Sequence, residues 1–205
     1  MSTKDRGMDR TERILEIVAQ VGVLRPRDLD EYGIPRIYLS RLCERGLLQR
    51  VGRGLYILPD TDISEHHTLA EACKRVPHGV ICLLSALRFH GLTTQSPREV
   101  WLAIASKAWR PQVDYPRLRF VRFSARALEA GVEEHPIEGV TVHIYTPAKT
   151  VADCFKYRNK IGLDVALEAL RDCRRQRLCT NDQLWHYAQI CRVANVMRPY
   201  MEATG

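Results

Sequence analysis

The sequence predicts an α+β protein: a small helical module ending in a β-hairpin, then a mixed α/β domain that ends in helices. Three observations predict it. Apolar residues recur at helical spacing in short segments before Gly46. Two β-prone runs then flank Gly52-Arg53-Gly54. Beyond residue 79, strand candidates precede a series of helix patterns with strong start signals. With 205 residues, 45% hydrophobic and 27% charged, the chain has material for a buried core, which argues against wholesale disorder.

Asp9 to Val21 reads as the first helix, with Ile14, Leu15, Ile17, Val18 and Val21 at helical spacing. Asp9 and Glu12 have the spacing of an acidic capping box, and Gly22 ends the helix. Arg25 to Leu29 opens a short second helix that stops near Gly33. Pro35 suits a first helical position, so a third helix is expected from Pro35 to Glu44, with Gly46 as its C-terminal cap. Leu47 to Val51 and Leu55 to Leu58 are the arms of a hairpin, punctuated by Pro59 and Asp60. Three helices followed by a hairpin is the layout of a winged helix-turn-helix, assigned here to residues 1–60.

A connecting helix is expected within 61–78, centred on Glu65 to Val76, and an α+β domain over 79–205. Cys82 to His90 reads as a short buried helix ended by Gly91. Val100 to Ala105, Leu118 to Phe123 and Val140 to Tyr145 read as strands. Thr146-Pro147 is an N-cap followed by proline at the first helical position; Ala148, Val151, Ala152 and Phe155 mark that helix's buried face. Leu163, Ala166, Leu167 and Leu170 mark another helix. Thr180 and Gln183 have capping-box spacing before a last helix carrying Leu184, Ala188 and Cys191.

The formal net charge of +7 and a pI near 9.2 suit a polyanionic partner. From Ile34 to Gly54, Arg36, Arg41, Arg45, Arg50 and Arg53 face Glu44 alone, a net +4. On the third helix Leu39, Leu42 and Cys43 share the face that packs inward. Arg36, Ser40 and Arg41 then point outward, with Tyr38 and Arg45 at the flank. A helix fits the B-DNA major groove, and arginine bonds two guanine acceptors at once. Arg36 and Arg41 are therefore the expected base readers in double-stranded DNA. Tyr38 and Ser40 are placed at base edges or phosphate, and Arg45 at the backbone. Arg53 at the hairpin tip, with Arg50 nearby, is expected to reach phosphates or a neighbouring minor groove. A second basic surface is expected at Arg171, Arg174, Arg175 and Arg177. Pro97 to Arg126 adds seven basic residues against two acids.

Other chemistries find little support. There is no P-loop, GxGxxG, HExxH or GxSxG pattern. His66 and His67 point about 100° apart on a helix and cannot share one metal from a single face. A His143–Cys154 nucleophile pair is conceivable but nothing in the sequence joins the two. Cys173 and Cys179 lack a matching second pair for zinc. No catalytic residue, metal or cofactor is expected. Trp101, Trp109 and Trp185 read as core or interface aromatics rather than base-stacking platforms. The first thirteen residues lack an apolar block, and the longest apolar stretch, Val80 to Leu87, is far short of the roughly 20 residues a bilayer span needs. A cytoplasmic protein is expected, with its seven cysteines as reduced thiols.

Three segments in order carry a family resemblance: RILEIVAQVGVLRPRDLDEYGIPRIYLSRLCERGLLQRVGRGLYILP; VPHGVICLLSALRFHGLT; and GVTVHIYTPAKTVADCFKYRNKIGLDVALEALR. Over about residues 9 to 195 the chain resembles the AbiEi-type antitoxins, regarded as transcriptional regulators of viral defence systems. The resemblance implies a winged helix that binds an operator, with inverted repeats, ahead of a toxin–antitoxin operon and represses it. It implies a C-terminal antitoxin domain that counteracts a nucleotidyltransferase-like toxin, functionally rather than by necessary contact, as in type IV systems. Two alternatives stay open: a stand-alone regulator without a toxin, and an antitoxin that blocks its toxin by direct binding.

Overall fold

The computed structural model describes residues 9–59, 65–113 and 115–203. The chain divides into two compact units, Met1–Lys74 with Pro136–Thr141, and Arg75–His135 with Val142–Gly205.

The first unit opens with α1 (Arg10–Val21), a 3-10 helix (Pro26–Tyr32) and α2 (Ile37–Glu44). The hairpin β1 (Gln49–Gly52) and β2 (Leu55–Ile57) follows, then α3 (His67–Arg75). Ile14, Ile17 and Val18 of α1, Leu29, and Leu39 and Leu42 of α2 form one core with Leu24, Leu48 and Tyr56. The hairpin is antiparallel, pairing Gln49 with Ile57 and Arg50 with Tyr56, and its register shifts between Arg50 and Gly52. Leu24 extends this small sheet, exchanging backbone bonds with Tyr56 of 2.9 Å in both directions.

Local chemistry departs from the sequence reading at several ends. Asp9 stands at the N-cap of α1, but its side chain makes no capping bond. The segment after Arg25 winds as a 3-10 helix, and Asp28 folds back on its entry residue. Asp28 Oδ2 accepts the Arg25 backbone N–H at 2.9 Å, and Oδ1 accepts from its guanidinium at 2.8 Å. Lys74 Nζ lies 3.2 Å from the same carboxylate, and Arg25 also donates to the Lys74 carbonyl at 2.5 Å. Pro35 precedes α2 instead of occupying its first turn; Arg36 is the N-cap. Gly46 follows the C-cap Arg45, at φ +69°, the left-handed conformation glycine tolerates. The connecting helix is found at His67–Arg75, and the part of that expectation at 61–64 lies outside the described residues, as does Asp60.

In the second unit the elements are β3 (Val80–Ile81), α4 (Leu83–Phe89), β4 (Val100–Ala105), β5 (Leu118–Phe123) and α5 (Ala125–Glu129). They continue as β6 (Val132–Ile137), β7 (Val140–Tyr145), α6 (Pro147–Lys156), α7 (Arg158–Ile161), α8 (Leu163–Arg175), α9 (Asn181–Ile190) and α10 (Ala194–Ala203). The sheet order is β5-β4-β3-β7-β6. β4 runs parallel to β5, β3 antiparallel to β4 and parallel to β7. The turn from β6 to β7, grouped with the first unit, is Glu138-Gly139, at φ +49° and +72°. Positive φ at both central residues is what a tight hairpin turn demands. A Cβ on Gly139 would sit 2.7 Å from the backbone of Val21 and Gly22, so no larger residue fits.

One face of the sheet, with Trp101, Ala103, Val121, Phe123 and Tyr145, shares one core with buried residues of α4, α6, α8 and α9. α6 is buried from Ala148 to Phe155. Its start follows the Thr146-Pro147 signal: Thr146 Oγ1 accepts the Lys149 N–H at 3.3 Å. The Thr180–Gln183 capping box also forms, with bonds of 3.1 and 2.9 Å. Being buried all round, α6 carries two charges into the core. Lys149 Nζ donates to Asp153 Oδ2 at 2.6 Å, one turn on, with side-chain exposures of 0% and 2%. The ammonium also lies over the rings of Tyr145 and Phe123, 4.0 and 4.8 Å from their centroids. Burial pushes the Asp153 carboxyl up, against the pull of Lys149.

Cys173 and Cys179 are placed side by side as a disulfide pair, their Cα atoms 6.2 Å apart, whereas Cys43, Cys73, Cys82, Cys154 and Cys191 stand outside that pair. The bond joins the end of α8 to the segment leading into α9, a proximity that the turn at Arg177, φ +55°, creates. No helix among the described residues is long and apolar enough to cross a membrane.

Two outcomes follow for stability. Lys149→Met strands a buried carboxylate and is expected to cost about 3–5 kcal/mol, whereas Lys149→Met with Asp153→Leu recovers most of that loss, as read by urea unfolding. For Asp28, burial pushes the carboxyl up, but hydrogen bonds from Arg25 and the charges of Lys74 and Arg25 together hold it below its ordinary value. Its contribution is present above the unfolded carboxylate range and is lost as pH falls through the lower folded value. Asp28→Asn is expected to cost about 1–2 kcal/mol at pH 7, and the gap from the parent protein should close as pH drops below about 4.

Candidate nucleic-acid interface

Burial of Leu39 and Leu42, each 1% exposed, sets the orientation of α2. Arg36, Ile37, Ser40, Arg41, Glu44 and Arg45 are exposed in consequence. Their spacing, in pairs four residues apart, makes one continuous stripe along the helix. Ile37 is the apolar member, 55% exposed, and sequence reasoning passed over it.

Tyr38 is half-buried beside this stripe and is shared by two cations. Arg10 of α1 donates to its hydroxyl at 3.2 Å and lies 5.8 Å from the ring centroid; Arg41 lies 5.6 Å from it. Tyr38 thus positions Arg41 as well as offering its own hydroxyl. Arg10 was missing from the sequence reading because it belongs to another helix, and only the fold brings it to Tyr38. Arg13 of α1 lies 5.7 Å from the ring of the exposed Tyr32.

Arg36 is not unengaged. Its guanidinium pairs with Asp30 of the 3-10 helix, with Nε donating to Oδ1 at 3.1 Å. The hydrogen bond from Arg36 holds the Asp30 carboxyl below its ordinary value. Both side chains are more than half exposed, so the pair is screened by solvent and weakly held.

At the hairpin, Arg50 is exposed on β1 and its Nε donates to the Gly52 carbonyl at 3.3 Å. Arg53 is exposed in the turn, followed by Gly54 at φ +69°. Arg45 caps the C-terminus of α2 and is exposed.

The second predicted basic cluster splits. Arg171, Arg175 and Arg177 are exposed, although Arg175 pairs with Asp172 at 2.9 Å. Arg174 instead ties helices together: it donates to the Met201 carbonyl at 2.8 Å and to Asn181 Oδ1 at 2.6 Å. The basic run on β5 is similarly engaged. Arg119 lies 4.3 Å from the Trp101 ring centroid, and Arg122 donates to the carbonyls of Ser106 and Ala108 at 2.5 and 3.0 Å. Of the tryptophans, Trp101 is buried, whereas Trp109 is 88% exposed, contrary to a core role.

The arrangement holds little for nucleophilic chemistry. Cys154 and Cys82 are fully buried, and burial pushes both thiols well up, away from the reactive thiolate. The His143 ring lies 3.6 Å from Glu134, on a strand pair. Among the described residues no group of three or more His, Cys, Asp or Glu is arranged to hold a metal ion.

A comparison with curated proteins finds no match. The segment that builds α1, the 3-10 helix, α2 and the hairpin does have known relatives: residues 12–59 match the family model described as "Transcriptional regulator, AbiEi antitoxin", so the resemblance carried by this part of the sequence is borne out there.

Proposed function

We propose that the first unit binds double-stranded DNA as a sequence-specific operator and represses the operon that encodes this chain. The observation that carries the reading is the exposed arginine stripe of α2 on a helix–helix–helix–hairpin unit, within the segment that matches regulators of the AbiEi type. In this reading α2 enters the major groove. Arg41, steadied by Tyr38, reads a guanine edge, and Arg36 joins it after leaving Asp30. Ser40 and Tyr38 contact base edges or phosphate, and Ile37 meets a thymine methyl. Arg45, Arg50, Arg53 and Arg10 supply phosphate contacts. The second unit acts as the antitoxin part, counteracting a nucleotidyltransferase-like toxin without needing to hold it. Arg171, Arg175 and Arg177 are left as the exposed basic positions for a further contact. The protein works in the cytoplasm, without a cofactor and without catalysis of its own.

The test is titration of the chain against the DNA upstream of its own gene and against random duplex, over a series of salt concentrations. Arg41→Ala should weaken the specific site by about 1–3 kcal/mol and random duplex far less. Arg53→Ala should weaken both alike and reduce the salt slope by about 1. Equal affinity for both DNAs in the parent protein would remove the reading. Separately, Asp30→Ala releases Arg36 from its partner and should tighten operator binding by a factor of about 2 to 5, the free energy of an exposed ion pair. No change, or weaker binding, would take Arg36 off the reading surface.

A further inference from the structure

A cavity of about 270 Å³ opens in the second unit between β5, α6 and the turn joining α9 to α10. It is lined in part by Phe123, Asp153, Lys156, Tyr157, Cys191 and Arg192. Its chemistry is graded from inside to outside. Asp153 is 1% exposed yet reaches the lining. Its Oδ2 accepts from Lys149 Nζ at 2.6 Å and its Oδ1 from Cys191 Sγ at 3.2 Å. An ionised carboxylate has about four acceptor sites, so each oxygen keeps one for a further donor. Phe123 and Tyr157 stack with centroids 5.5 Å apart and contribute an aromatic wall. Lys156 and Arg192 are both exposed and bring two cations to the mouth.

A buried acceptor pair is expensive to keep in a core, and apolar residues of the same volume would often serve stability as well or better. Here it stands beside a cavity large enough for a small ligand, with cations at the opening. A matching ligand has hydrogen-bond donors at one end, a flat body and negative charge at the other. We propose that this cavity binds a nucleotide, its base edge donating to Asp153 and its phosphates held by Lys156 and Arg192. Of the common bases, guanine presents two adjacent N–H donors, which suit the two oxygens of one carboxylate. Adenine sets an acceptor beside its donor and fits the same group poorly. The proposal concerns the second unit alone and does not rest on the DNA-binding reading.

The experiment is calorimetric titration of the full chain with GTP, ATP, CTP, UTP and inorganic pyrophosphate at about 0.15 M salt, where weak surface binding of polyanions is screened. GTP is expected to bind, about tenfold or more tighter than ATP and than pyrophosphate. Lys156→Glu and Arg192→Glu should each weaken GTP about tenfold or more, while Arg88→Glu, an equal charge change at an exposed position outside the cavity, leaves it unaltered. Circular dichroism establishes that the variants are folded. The proposal is overturned if no nucleotide binds at millimolar concentration. It is equally overturned if pyrophosphate binds as tightly as GTP, if ATP is preferred, or if all three charge variants lose binding alike.

Discussion

Leu39 and Leu42 are almost wholly buried in the core of the first unit, and that burial decides where the other side chains of α2 point. A helix this short has little stability of its own and is held by the apolar stripe it buries. Once the two leucines are fixed, an eight-residue helix has one outward stripe, and here it is occupied by arginine, serine, one glutamate and a single isoleucine. The core of a small unit thus aims a charged surface. The helix fixes where each of these charged side chains starts.

Two kinds of arginine emerge from the fold. Arg174, Arg122 and Arg25 spend their donors on backbone carbonyls or a nearby carboxylate, where they act as struts between segments distant in the chain. Arg41 and Arg45 are exposed on α2 and at its C-terminal end. A count of basic residues treats the two kinds alike, which is why the net positive charge overstates the surface open to nucleic acid. α6 shows the same principle with the opposite sign of exposure: its lysine and aspartate are enclosed, and the rings around the ammonium share in satisfying it.

The sequence was most legible where short-range chemistry dictates structure. Thr146-Pro147 and the Thr180–Gln183 pair mark helix starts through contacts three residues apart, and both are found as read. The hairpin around Gly52 and Gly54 is read equally well, since turn residues are local. What escaped depends on partners that only the fold supplies. β6 carries Glu133, Glu134 and Pro136, a composition poor for an interior strand, and it survives at a sheet edge where an unpaired side is tolerated. α10 continues through Pro199 in spite of the bond that proline removes. The Asp30–Arg36 pair, the Arg10–Tyr38 bond and the Cys173–Cys179 bridge link side chains whose meeting no periodicity announces. Among the candidate site residues, the sequence therefore identified which helix was charged but not which of its arginines was already spoken for.

The bond from Arg10 to Tyr38 spans 28 positions, from the first residue of α1 to the flank of α2. A helix frays first at its ends, so this anchor sits on the least secure turn of the helix that bears it. Whatever loosens that opening turn, a bulky fusion just ahead of it for instance, would slacken Tyr38 and with it the posture of Arg41, leaving α2 itself untouched.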